Sequence, residues 1–118
     1  MLAQKLAHCN LIDELEFNEA VITAPPELGQ FCLFKERQFL EAMRTGSIAV
    51  LQEELKRSIY EAYVYIGQSN FRMNSLVNQQ EPSMVNEMLQ QVNRSLSKAK
   101  QPIQKAKQEL LKFLSSEN

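Results

Sequence analysis

Nine apolar residues in the last third of the chain stand at spacings that alternate between four and three: Val85, Leu89, Val92, Leu96, Ala99, Ile103, Ala106, Leu110 and Phe113. That alternation is a heptad seam, the pattern that lets one helix lie along another with side chains interlocked. A stripe held in phase for about four heptads leaves little room for any fold but a helical one. Pro102 falls inside it and removes one backbone donor. Because the seam keeps its phase on both sides, a kink near residues 98–101 is expected, and not a break.

A second stripe precedes it. Ile48, Leu51, Leu55, Ile59, Ala62, Ile66, Met73 and Leu76/Val77 recur at helical spacing, with Ser47 placed to cap the start. Gly67 lies within this stripe and weakens a helix interior by about 1 kcal/mol relative to alanine. The phase survives it, so one continuous helix is expected. Asn78–Ser83 is the turn that follows, with Ser83 as the cap of the next helix. Two helices of about 30 residues each, or roughly 45 Å, joined by so short a link must run antiparallel as a hairpin.

Two shorter helices are expected ahead of this hairpin. The first carries Leu2, Leu6, Cys9, Leu11, Ile12 and Leu15 and reaches Phe17. Its last turns hold Asp13, Glu14, Glu16 and Glu19, where the helix dipole is already negative. The expectation is a frayed end, or basic groups brought from elsewhere. Residues 21–26 then read as a connector, since proline pushes the residue before it out of helical geometry. The second helix carries Leu28, Phe31, Leu33/Phe34, Phe39/Leu40 and Met43 and stops at Arg44-Thr45-Gly46. The predicted fold is a single all-α domain over residues 1–118. It is an up-down antiparallel four-helix bundle built on the long hairpin, with helices over about 2–17, 25–44, 48–77 and 84–115.

Composition narrows the chemistry. The chain has 118 residues, a formal net charge of −1, 44% hydrophobic residues and no tryptophan. A charge near zero argues against a protein that coats DNA or RNA. No stretch nears the roughly 20 apolar residues that cross a bilayer, and the first residues do not read as a secretory signal. A cytoplasmic protein is expected. Cys9 and Cys32 lack metal-ligand spacing and read as reduced thiols in apolar surroundings, with a Cys9–Cys32 disulfide as the alternative.

Catalytic patterns are sparse. His8 is the one histidine, and no Glu-x-x-His pair exists to hold a di-metal centre. Gly29, Gly46 and Gly67 are isolated, unlike a phosphate-binding loop. His8 and Cys9 are adjacent, but successive side chains on a helix diverge by about 100°, so they make a poor nucleophile–base pair. No enzyme activity, cofactor or metal is expected.

Interaction surfaces are the better reading. Residues 59–66, Ile-Tyr-Glu-Ala-Tyr-Val-Tyr-Ile, are apolar or aromatic nearly all round and need cover on more than one face. Ile59, Tyr60, Tyr63, Val64 and Ile66, with Met73, Met84 and Met88, are therefore candidates for a partner or self-association interface, a homodimer being the simplest. The alternative makes the same residues bundle core, with Met73, Met84 and Met88 closing its end. Tyr60, Tyr63, Tyr65 and Phe71 could also stack bases, but aromatics inside an apolar stripe read better as core.

Charge is uneven. Up to Gln30, Lys5 faces five carboxylates, Asp13, Glu14, Glu16, Glu19 and Glu27; from Glu81 onward six cations face four. Those six, Arg94, Lys98, Lys100, Lys105, Lys107 and Lys112, either neutralise the acidic first helix or form a docking face for an acidic partner or nucleic acid.

The segment from Glu36 to Leu51, Glu-Arg-Gln-Phe-Leu-Glu-Ala-Met-Arg-Thr-Gly-Ser-Ile-Ala-Val-Leu, is similar to one in flagellar-type export chaperones, which are small helical proteins. The resemblance covers one helix–turn–helix, and no functional residue is carried over from it. The expected function is a non-enzymatic helical interaction module: an adaptor, an assembly factor or a secretion-type chaperone. The alternatives are a nucleic-acid-associated regulator using the basic last helix, and a purely structural homo-oligomer.

Overall fold

The computed structural model describes residues 2–23, 33–77 and 81–116. Four helices make up the described chain: α1 (Leu2–Thr23), α2 (Arg37–Arg44), α3 (Glu53–Val77) and α4 (Pro82–Ser116). The chain is all-α, as its periodicity demands, and no strand occurs among the described residues.

The long hairpin is its backbone. α3 is continuous through Gly67 and α4 through Pro102. Every position of the α4 seam from Val85 to Phe113 is buried or half-buried. Facing it are Leu55, Ile59, Ala62, Ile66 and Met73 of α3, all buried. Each fully buried residue of this size contributes about 1.5–3 kcal/mol of hydrophobic stabilisation. Two polar contacts fix the direction: the Ser58 hydroxyl donates to Glu109 Oε2 at 2.7 Å, and the Arg72 guanidinium donates to Ser95 Oγ. An equal step forward on α3 and backward on α4 separates them, so the pair is antiparallel.

α4 begins two residues earlier than expected. Glu81, not Ser83, offers the carbonyl that accepts the first amides, from Met84 (3.0 Å) and Val85 (3.2 Å). Pro82 occupies the first turn, where its missing N–H costs nothing. At 35 residues α4 would span about 52 Å, and the molecule measures 53 × 25 × 22 Å.

α1 differs from the expectation at its C-terminus. It runs on to Thr23, so Val21 and Ile22 are helical and pack half-buried against the core. Proline constrains only the residue directly before it, and Pro25 therefore does not reach back that far. The carboxylates read as lying at a frayed end are mid-helix. Glu19 meets a base from elsewhere, Lys107 Nζ of α4 at 3.1 Å, the neutralisation that the uneven charge suggested. His8 meets Phe113 edge-on at 5.8 Å. These two contacts also set α1 antiparallel to α4, and hence in the same sense as α3.

The second helix is the largest correction. Residues 33–36 are not helical and α2 holds only eight residues; the rest of the expected span, including Leu28 and Phe31, lies outside the described residues. Ala42 is the buried residue of α2, while Leu40 and Met43 are exposed. α2 ends as expected at glycine. Gly46 has φ +78°, and the Gly46 and Ser47 amides reach back to the Met43 (3.3 Å) and Ala42 (2.9 Å) carbonyls, the paired bonds of a Schellman stop. Ser47 is thus spent closing α2, and α3 starts at Glu53. Ile48 and Leu51 are buried as their stripe predicts, but from a turn.

Candidate interaction surface

α3 has one face in the core and one in solvent. Ile59, Tyr63, Ile66 and Met73 turn inward and are no more than 5% exposed. Four of the candidate interface residues are thereby the chain's own core and present no surface. Tyr60 and Val64 turn outward, 38% and 56% exposed, and Phe71 joins them at 73%. At about 100° per residue these three side chains fall within about 40° of one another around α3. They form one row, and an open hollow beside it is lined by Arg57, Tyr60, Glu61 and Val64. Met84 is exposed and Met88 half-buried near the start of α4. Tyr65 is half-buried against the core.

What holds the row's border was not anticipated. Glu14, only 4% exposed, reaches from α1 to the start of α2. Its Oε1 accepts the Gln38 amide at 2.9 Å and its Oε2 the Phe39 amide at 3.1 Å. Glu36, the residue before α2, makes no side-chain cap bond. Glu14 supplies that cap from another helix, with its charge on the positive end of the α2 dipole. The Tyr63 hydroxyl donates to Glu14 Oε2 at 2.6 Å. Burial, then the Glu14 charge, pushes the Tyr63 hydroxyl far above the ordinary tyrosine range.

Two asparagines continue the clamp. Asn18 accepts the Lys35 amide at 2.8 Å and donates to the Lys35 carbonyl at 2.9 Å. Asn70 does the same for Phe34, at 2.8 and 3.0 Å, and also donates to Glu36 Oε2 at 3.0 Å. One asparagine from α1 and one from α3 thus hold the backbone groups of two successive residues. His8 closes the far end, Nε2–H donating to the Ser47 carbonyl at 2.8 Å. The one available signal was weak: Glu14 and Asn18 are four apart on the α1 face that carries Leu11 and Leu15. Glu14 is sealed in with three donors, so it positions α2 and offers nothing to a substrate.

Within this frame Phe39 stacks on Tyr63 at 4.1 Å and meets Tyr60 edge-on at 6.3 Å. The Tyr60 end of the exposed row on α3 thus borders α2 through Phe39, and α2 also exposes Leu40 and Met43.

The six basic candidates separate by face. Arg94, Lys98, Lys105 and Lys112 are exposed and fall within about 40° of one another on α4, on the side away from the core. Lys100 lies off this line, and Lys107 is half-buried on Glu19. Cys9 is exposed and unpaired, not in apolar surroundings as expected; Cys32 lies outside the described residues. Among the described residues no three His, Cys, Asp or Glu side chains gather as a metal site would require. No described helix is long and apolar enough to cross a membrane.

Comparison with family models, curated proteins and solved structures found no match to this chain.

Proposed function

We propose that this chain is a non-enzymatic helical protein-interaction module of the adaptor, assembly-factor or chaperone kind, acting in the cytoplasm through the outer face of α3. The observation that carries it is the exposed row of Tyr60, Val64 and Phe71 on α3. Scattered apolar residues are ordinary on a protein surface, but a contiguous row of large ones has its use in binding. Side chains at helical spacing suit an amphipathic partner helix laid along the same axis. The buried clamp at Glu14 keeps α2, whose Phe39 meets Tyr60, in place at one end of that row.

Photocrosslinking in the native cell tests this reading. A photoreactive phenylalanine analogue at Val64 or Phe71 should yield protein adducts, and one at exposed Ser97 of α4 should not. Equal silence at all three positions would remove the proposal.

The basic line on α4 favours a second reading, docking of an acidic partner or nucleic acid. Such binding would weaken steeply with salt. Absence of any anisotropy change for a labelled duplex or a poly-glutamate peptide at low salt would eliminate it.

A further inference from the structure

We infer that the partner of this surface is a second copy of the chain, docked α3 against α3, antiparallel, across a two-fold axis at the level of residues 65 and 66. This rests on the reading of the α3 row as an interaction surface. Extended by one position, the row is Tyr60, Val64, Gly67 and Phe71, with spacings of four, three and four. It reads the same in both directions: ring, compact residue, compact residue, ring.

A two-fold interface demands that symmetry. Whatever residue i meets in the other copy must in turn meet i. Setting Tyr60 opposite Phe71 of an antiparallel copy places Val64 opposite Gly67 without further adjustment. Each end of the seam then carries an aromatic pair, worth about 0.5–1.5 kcal/mol beyond its buried area. At the centre two valines settle onto two glycines, where the helix backbones can approach closely.

Gly67 is the independent observation. It lies mid-helix, where glycine weakens α3 by about 1 kcal/mol, and its backbone does not need glycine, since Gly46 holds the positive φ found among the described residues. Nor does its own chain crowd it: a Cβ there would meet only Glu36 Oε1 at 3.6 Å, ordinary contact. Nothing inside the described fold calls for glycine at 67, whereas a helix crossing at that point does. The Glu61 charge is compatible with this register. Glu61 and Gln68 are exposed on the same edge of the row, so the antiparallel register sets each Glu61 near Gln68 of the other copy and keeps the two Glu61 carboxylates apart.

The native chain is measured by light scattering after size exclusion, from about 10 µM to about 1 mM, the range in which a modest helix-on-helix contact fills. The expected result is a shift from 13.6 kDa toward twice that mass. Phe71→Glu and Gly67→Leu should each hold the mass at that of the monomer, with helical circular dichroism unchanged. Register is read in a Cys9→Ser, Cys32→Ser background: Tyr60→Cys mixed with Phe71→Cys should give a disulfide-linked dimer, and neither alone should. A dimer that survives Phe71→Glu, or that links Phe71→Cys to itself, overturns the inference. So does a monomer at every concentration. If the Val64 photoprobe still captures a different protein, the interaction-module reading stands without the two-fold; if it too is silent, both fall.

Discussion

The α3–α4 hairpin and the segment from Leu33 to Ser47 are held to the same core by opposite means. The hairpin relies on periodic apolar burial, with Ile59, Ile66, Val92, Ile103 and Leu110 fully buried and only two cross-helix side-chain hydrogen bonds described, Ser58 to Glu109 and Arg72 to Ser95. The segment buries Phe34 and Ala42, stacks half-buried Phe39 on Tyr63, and is gripped through its backbone by His8, Glu14, Asn18 and Asn70. Apolar burial is distributed, so a hairpin loses stability in proportion to what is removed. A polar clamp is concentrated, because each lost partner strands donors that are partly or wholly shielded from water. The first kind of attachment should fail globally and the second locally.

The largest expected effect breaks the hairpin. Ile59→Ala should remove about 4 kcal/mol of stability, by lost burial and the cavity left behind. Urea unfolding would show a lower midpoint, with amide exchange accelerated in α1, α3 and α4 together. Acceleration confined to α3 would contradict the shared core.

Next comes the clamp. Glu14→Ala strands the Gln38 and Phe39 amides and the Tyr63 hydroxyl and should cost about 3 kcal/mol; Glu14→Gln, which keeps an acceptor, should cost about half as much. Exchange should quicken first at residues 34–44 while α4 stays protected. Uniform acceleration would erase the distinction between the two regions.

A pH titration sharpens the same point. An unfolded tyrosine loses its proton near pH 10, whereas buried Tyr63 keeps its own far beyond that. With the folded pKa raised, this stabilising contribution is complete below about pH 10. It drains away as pH climbs, by up to about 1.4 kcal/mol per unit. Between about pH 9 and about pH 11 the urea midpoint of the native chain should fall further than that of Tyr63→Phe. Parallel curves would mean that Tyr63 ionises while folded.

The smallest effect tests the stop of α2. Gly46→Ala places a side chain at φ +78° and should cost about 1 kcal/mol. The exchange change should centre on residues 42–48. No measurable loss would show that this turn can relax.

Legibility followed the same division. The α3 and α4 stripes, the glycine stop at 46 and the continuity across Gly67 and Pro102 could be read from spacing, since repeated burial leaves a period behind. The clamp left none, because a single Glu or Asn inside an amphipathic helix reads as a solvated residue until its partner is known. The same lack of distance information extended a helix back across residues 33–36, where the Phe34 and Lys35 amides go to Asn70 and Asn18 and not to a helical turn. It also ran the Ile59–Ile66 belt together. Spacing showed that the segment was apolar on most sides, but only packing could divide Ile59, Tyr63 and Ile66, which fill the core, from Tyr60 and Val64, which face out.

By itself the sequence determined an all-helical chain with a long C-terminal hairpin, because a heptad period is a local property of the covalent order. Tertiary structure decided where α1 ends, how short α2 is and which aromatic side chains reach the surface. Each of those depends on a hydrogen bond or contact between residues dozens of positions apart, and so on distances that the covalent order does not contain.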